Sequence, residues 1–100
     1  MEVKVISPVD KVLVQIKGRV DTTNAAQFQE DLTFIMQGDM KDIELDCSEL
    51  EYTSSQGLRV FLMLQKAVQS RGGKMVLTNM QTQVKEVFDI TGFSNIIKIL

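Results

Sequence analysis

Residues 45–60, LDCSELEYTSSQGLRV, decide the fold of this chain. Apolar residues that alternate up to Cys47 predict a buried strand, and the polar residues after it predict a loop. The pair Ser54–Ser55 then precedes an apolar segment with the spacing of a helix. Backbone N–H groups are unpaired at such a junction and the helix dipole is positive there, so a phosphate on a serine at this place would be stabilised.

Ser55 fits two roles. As an N-cap it would stabilise the helix by about 1 kcal/mol relative to alanine without any partner, and spacing alone favours this interpretation. As a modification site it would present its hydroxyl group at a position that already favours an anion. The two roles are compatible, so the preference of the spacing for a cap does not exclude a modification site.

The composition predicts one globular domain over residues 1–100. The chain is 44% hydrophobic and 24% charged, with a net charge of −2, which argues against disorder and against a nucleic-acid partner. Its longest apolar run, Val60–Leu64, is too short to span a membrane, and the N-terminus lacks the pattern of a signal peptide. One cysteine fits a reducing cytoplasm.

Missing residue types restrict the chemistry. The chain has no histidine and one cysteine, so a Ser-His-Asp triad and a zinc site are not expected. A phosphate-binding glycine loop is also missing, and Gly72–Gly73 is interpreted as a turn. We therefore expect no enzymatic activity, no metal and no cofactor.

Periodicity predicts an α/β fold with the order β-β-α-β-α-β-α-β. The predicted strands cover residues 1–6, 11–17, 43–47, 75–77 and 96–100, and the predicted helices cover about 25–36, 55–71 and 84–91. Gly18 is expected to end the second strand, and a turn at Ser7–Asp10 makes the first two strands an antiparallel hairpin. The remaining strands would be parallel, joined by right-handed crossovers in one mixed sheet.

Helix starts and faces follow from local patterns. Asn24 and Gln27 have the spacing of a capping box for the first helix. In the helix after the serines, one stripe should face the sheet: Gly57, Val60, Phe61, Leu64, Ala67 and Val68. The apolar residues outside it are Leu58, Leu62 and Met63. They either pack under a neighbouring helix, which is the common outcome, or form an exposed docking patch.

Four further side chains have expected roles. Asp21 is a candidate cap for the turn into the first helix. Asp46 is expected to order the loop that carries the serines by accepting backbone N–H groups. Cys47 continues an apolar face and should be buried and unreactive. Tyr52 is expected to pack in the loop or at its rim.

The chain resembles the STAS domain of anti-sigma factor antagonists over essentially its whole length. The resemblance rests on three segments in order: Gly18–Asp21, Asp46 with Ser54–Leu58, and Gly72–Met75 followed by Thr91–Phe93. It implies a single STAS domain over 1–100, with a mixed sheet, an N-terminal hairpin and packed helices. In this family the phosphorylated serine stands two residues before the glycine of the helix start. That position is Ser55. Several members have an aspartate just before the target serine, and here Ser54 replaces it and adds a second hydroxyl group, so Ser54 is the second choice.

The resemblance also implies a mechanism and its partners. An unphosphorylated antagonist binds a serine kinase that acts as anti-sigma factor, phosphorylation releases it, and a serine/threonine-type phosphatase resets it. The implied partner-binding residues are Asp21, Thr22, Ser54, Ser55, Gln56, Gly57, Leu58 and Leu62. The alternative is a STAS scaffold without a switch, in a transporter or a stress-sensing assembly. A receiver domain would need an acidic cluster that Ser7–Asp10 lacks, and a serine hydrolase would need a base.

Overall fold

The computed structural model describes residues 1–7 and 11–100, so most of the predicted Ser7–Asp10 turn lies outside the described residues. The strands are β1 Glu2–Ser7, β2 Val12–Val20, β3 Asp42–Thr53, β4 Lys74–Thr78 and β5 Lys98–Ile99. The helices are α1 Ala25–Asp31, α2 Thr33–Gln37, α3 Ser55–Ser70 and α4 Thr82–Ile90, and a short 3-10 helix covers Phe93–Asn95. No helix in the described ranges has the length and apolar character needed to cross a membrane.

One five-stranded sheet organises the chain, in the spatial order β1-β2-β3-β4-β5. Strand β1 is antiparallel to β2, and every later pair is parallel. The predicted fold class and the predicted order of strands and helices are therefore confirmed. Consecutive strands are neighbours in space. Each parallel pair is joined by a helical connection, because parallel neighbours need a crossover between them.

The core lies between one face of the sheet and the helices. Alternate residues of β2 and β3 are fully buried, among them Val14, Ile16, Leu45 and Cys47. Three phenylalanine rings join the helices over this face: Phe28 of α1, Phe61 of α3 and Phe88 of α4 meet edge to face, with centroids 5.3 and 5.5 Å apart. Such edge-to-face pairs add specificity to apolar burial. Burial raises the pKa of the Cys47 thiol to about 12, which agrees with its predicted inertness.

The opposite face of the sheet is polar. Glu44 accepts an ion-pair contact from Lys11 at 3.0 Å and a hydrogen bond from Thr78 at 2.8 Å. Gln15 and Lys17 of β2 both reach Glu49 on the neighbouring strand. This alternation of buried and polar residues explains why the strand positions could be predicted from period two.

Strand β3 is longer than predicted, and the expected loop after Cys47 does not exist. The whole strand has twelve residues, from Asp42 to Thr53. Two shifts of register against β2 interrupt the alternation, and they let Leu50 and Thr53 face the core while Glu51 and Tyr52 face solvent. Asp46 does accept a backbone N–H, from Ser48 at 3.0 Å, but it does so within the strand.

Strand β2 also passes its predicted end. Gly18 lies inside the strand with a φ of +86°, a left-handed conformation that glycine adopts without the steric cost of a side chain. The strand therefore continues to Val20, which pairs with Thr53. The last strand, in contrast, is shorter than predicted. The N–H groups of Ile96 and Ile97 bond to the carbonyl of Phe93 instead of a neighbouring strand.

The first predicted helix is divided at Leu32, which has φ −104° and ψ 7°. The Thr33 hydroxyl donates to the Gln29 carbonyl at 3.0 Å, a local bond that competes with regular helix geometry. The predicted capping box of Asn24 and Gln27 is wrong. Asn24 accepts from the Asp21 N–H and donates to the Arg19 carbonyl, both at 2.9 Å, so its side chain closes the preceding turn.

The start of α3 packs directly on the ends of β2 and β3. A Cβ atom at Gly57 would lie 2.8 Å from Cγ1 of Val20 and would overlap Oγ1 of Thr53. Both neighbours are buried, at 0% and 4% exposure. The site therefore has no space for a side chain, and Gly57 is required for close packing.

We expect Gly57→Ala to destabilise the fold by about 1–3 kcal/mol, because the added methyl group overpacks the core. Urea denaturation followed by circular dichroism measures the change. Gln56→Ala is the matched control, since Gln56 is exposed on the same helical turn and a surface change of this kind is worth less than about 0.5 kcal/mol. Equal midpoints for the two variants would contradict the packing constraint.

Candidate functional site

The candidate site lies where strands β2 and β3 end. Val20 and Thr53 are paired at the ends of β2 and β3, and the Ser54 N–H donates to the Val20 carbonyl at 2.8 Å. The chain leaves these ends through the turn at residues 21–24 and through the start of α3. These two segments are therefore held beside each other.

Asp21 caps the turn into α1, as one of its predicted roles requires. Its Oδ1 accepts from the N–H of Thr23 at 2.9 Å and from the hydroxyl of Thr23 at 2.6 Å. The hydrogen bond from the Thr23 side chain is the main reason that the pKa of Asp21 is lowered. Thr22, in the middle of the turn, is exposed.

The two serines have different environments. Ser54 is the N-cap of α3: its backbone is extended, with φ −85° and ψ 175°, and its Oγ accepts from the Gly57 N–H at 3.3 Å. Ser55 is the first helical residue and is exposed, with its hydroxyl 3.4 Å from Oε1 of Gln56. The N-cap interpretation of Ser55 is therefore wrong, because the helix begins at Ser55 itself, one residue earlier than that role needs.

In this arrangement one serine stabilises the start of α3 and the other is exposed. Ser54 is 8% exposed, and a buried hydroxyl group needs the hydrogen bond that the cap provides. The Ser55 hydroxyl faces solvent beside the first, unpaired N–H groups of the helix. Of the two serines, Ser55 is the one that another protein can reach.

Leu58 does not form an exposed docking patch. It is 4% exposed and belongs to the core, and Gly57 is buried as well. Helices α1 and α2 pack on α3 in addition to the sheet, so the buried arc of α3 is wider than the predicted stripe. Leu62 and Met63 are partly buried. Leu58 thus packs inside the fold, which was the more common of the two expected outcomes.

A groove of about 260 Å³ lies between α1 and α3, next to Ser55. Thr22, Ala25, Ala26 and Gln29 line one side, and Gln56 and Arg59 line the other. The structure therefore brings together two predicted site residues, Thr22 and Gln56. Sequence reasoning missed Arg59, for which the available signal was its position four residues after Ser55 on one helix face.

The exposed aromatic side chain of Tyr52 lies at the same end of the molecule. The guanidinium of Arg19 lies 4.3 Å from the ring centroid of Tyr52, a cation–π contact between paired residues of β2 and β3. Tyr52 thus stands on a strand and not in a loop, and 39% of it is exposed. Within residues 1–7 and 11–100, no cluster of His, Cys, Asp or Glu has a geometry that would hold a metal ion.

The sheet order, the helix start at a serine pair and the polar turn beside it define a class of protein. A sequence profile of the STAS domain matches residues 1–100, and the chain belongs to the STAS domain family. Its named relatives are anti-sigma factor antagonists, so the predicted resemblance is confirmed.

Two relatives illustrate the similarity. BtrV of Bordetella bronchiseptica, which is named as an anti-sigma factor antagonist, is 34% identical over 91% of this chain and 79% of its own length. The anti-sigma-B factor antagonist of Bacillus subtilis is 32% identical over 88% of this chain and 80% of its own length.

The fold is also similar to that of SpoIIAA from Bacillus, an anti-sigma factor antagonist. Its unphosphorylated form superimposes with a TM-score of 0.80 at 20% identity, covering 99% of this chain and 88% of SpoIIAA. Its phosphorylated form gives 0.71 at 19% identity, over 99% and 89% of the two chains. At these identities the comparison establishes the fold alone.

The two serines should differ in their contribution to stability. We expect Ser54→Ala to lower the free energy of unfolding by about 1 kcal/mol, because it removes the cap of α3. Ser55→Ala is the matched control and should change it by less than about 0.5 kcal/mol. Urea denaturation of both variants measures this difference. A larger loss in Ser55→Ala would place the cap on Ser55 after all.

Proposed function

We propose that this protein is a phosphorylation-gated anti-sigma factor antagonist whose target residue is Ser55. The exposure of Ser55 at the first position of α3 is the observation that carries the proposal. Its neighbour Ser54 is buried and already bonded to Gly57. A kinase that needs a free hydroxyl group would find one on Ser55 and would have to break the helix cap to use Ser54.

The proposed partner is a serine kinase that acts as anti-sigma factor. The two named relatives support an anti-sigma factor as the partner, since both are antagonists of anti-sigma factors by name. The existence of SpoIIAA in phosphorylated and unphosphorylated forms supports phosphorylation of a STAS fold. Binding of the kinase to the unphosphorylated protein would release the sigma factor.

Catalysis belongs to the kinase, and this chain is the substrate. The Ser55 Oγ forms a bond to the γ-phosphorus of ATP, the bond to the β-phosphate oxygen breaks, and ADP leaves. The hydroxyl proton passes to a base of the kinase. Phosphate adds about −1.5 to −2 charge at neutral pH. The N-terminus of α3 stabilises this charge locally, so the domain stays folded. A phosphatase then restores the serine.

The proposed docking surface consists of the exposed residues around Ser55. Thr22 and Gln56 line the groove beside it, Asp21 orders the adjacent turn, and Leu62 is partly accessible on α3. The buried residues Ser54, Gly57 and Leu58 support this surface from below. A partner packed on the surface would meet the phosphate directly, and burying its added negative charge in an interface is costly.

We expect ATP-dependent labelling of the wild-type protein in lysate of its native host, localised to Ser55 by peptide mass mapping. Ser55→Ala should abolish the label and Ser54→Ala should keep it, because only the Ser55 hydroxyl is accessible. Label that persists in Ser55→Ala and disappears in Ser54→Ala would move the site to Ser54. No label in any of the three proteins would favour the scaffold without a switch.

Added charge at residue 55 should weaken binding of the anti-sigma factor. We expect Ser55→Asp to raise the Kd about tenfold or more, equivalent to about 1.4 kcal/mol, in isothermal titration calorimetry. Gln69→Glu is the matched control: it adds the same charge on an exposed residue of α3, about 21 Å farther along the helix. Its Kd should equal that of the wild type. Equal values for both variants and the wild type would contradict the proposed switch.

A further inference from the structure

Arg59 is the cation closest in helical position to the proposed phosphorylation site. It follows Ser55 by four residues on α3, is exposed, and lines the groove between α1 and α3. The ion pairs found among the described residues join other side chains. The guanidinium of Arg59 is therefore available to a new anion.

The charge pattern of α3 is unusual for a helix start. Its first turn contains no acidic residue, and its first charged residue is Arg59. Helices normally have acidic residues near the N-terminus, because these compensate the positive end of the dipole, and basic residues near the C-terminus. Here a cation stands in the second turn, and no acidic residue lines the adjacent groove. Asp21 in the neighbouring turn is already bonded to Thr23.

Helix geometry places Ser55 and Arg59 on the same face. Residues four apart on a helix have Cβ atoms about 5–6 Å from each other, within reach of a salt bridge by an arginine. The planar guanidinium can donate two parallel hydrogen bonds to phosphate oxygens, which lysine cannot do. The acid must precede the base for the favourable orientation of such a pair, and phosphoserine at residue 55 satisfies this order.

We propose that Arg59 binds the phosphate of phosphorylated Ser55 within the same chain. This inference rests on the proposed phosphorylation of Ser55 and adds its counter-ion. Pairing fixes the phosphate over the first two turns of α3 and occupies the guanidinium. The α1–α3 groove then loses the free cation that the unphosphorylated surface offers to a partner. Phosphorylation thus changes two features of the surface at once, an added anion and a removed cation.

The test uses the chain of residues 1–100 with phosphoserine incorporated at residue 55 during translation, so that no kinase is needed. Phosphorus NMR follows the second pKa of the phosphate. Pairing with Arg59 favours the dianion, so this pKa should be lower than in the Arg59→Gln variant, by about 0.2–0.4 unit given the strength of such helical pairs. Arg59→Lys should give an intermediate value, because it keeps the charge without the paired hydrogen bonds.

Lys66→Gln is the matched control. It removes the same charge from an exposed position of α3, about 16 Å from residue 55 along the helix, and should leave the pKa of the phosphate unchanged. An equal pKa in the wild type and Arg59→Gln would overturn the inference. An equal shift in Lys66→Gln and Arg59→Gln would also overturn it, since the effect would then be one of net charge. Failure of the proposed function appears instead as missing label in the lysate experiment.

Discussion

The close contact between the start of α3 and the ends of β2 and β3 is the constraint on which the site depends. Gly57 leaves no space for a Cβ atom against Val20 and Thr53, and the Ser54 N–H is bonded to the Val20 carbonyl. These contacts fix the axial position and the rotation of the helix start. Because the rotation is fixed, one serine points into the fold and the next points to solvent.

This constraint gives adjacent residues separate tasks. The Ser54 hydroxyl is bonded to the Gly57 N–H and stabilises the helix end. The Ser55 hydroxyl contributes little to that end and remains accessible. A charge added at Ser55 therefore leaves the cap in place, and the helix dipole offsets part of the new charge. A binding surface can change in this way while the core beneath it keeps its packing.

Most of the fold was predictable because the sheet has one apolar and one polar face. Period two identified the first three strands, short apolar segments identified the last two, and period 3.6 identified the helices. The errors occur where another interaction interrupts the period. Register shifts against β2 conceal the second half of β3, and the Thr33 hydroxyl bond accompanies the break at Leu32. Asn24 closes a turn where its spacing had suggested a capping box.

The geometry around the serines was only partly predictable from the sequence. Thr22 and Gln56 line one groove, and Ser55, which precedes Gln56, is exposed as a modification site would have to be. A shift of one residue in the helix start, however, transferred the cap from Ser55 to Ser54. Leu58 is buried, and α1 and α2 pack on α3 from another part of the chain, a tertiary contact that no local pattern reports.

The same limit explains why Arg59 was missed. Its spacing from Ser55 was visible in the sequence, but an arginine on a helix surface usually needs no explanation. Its position on the groove becomes visible only in the structure, where Arg59 lies opposite residues of α1 that are about thirty positions away in the sequence. A sequence motif thus identifies a group of candidate residues more readily than it separates the buried members from the exposed ones. Burial makes that separation here: Ser54, Gly57 and Leu58 lie beneath the surface on which Ser55 and Arg59 are exposed.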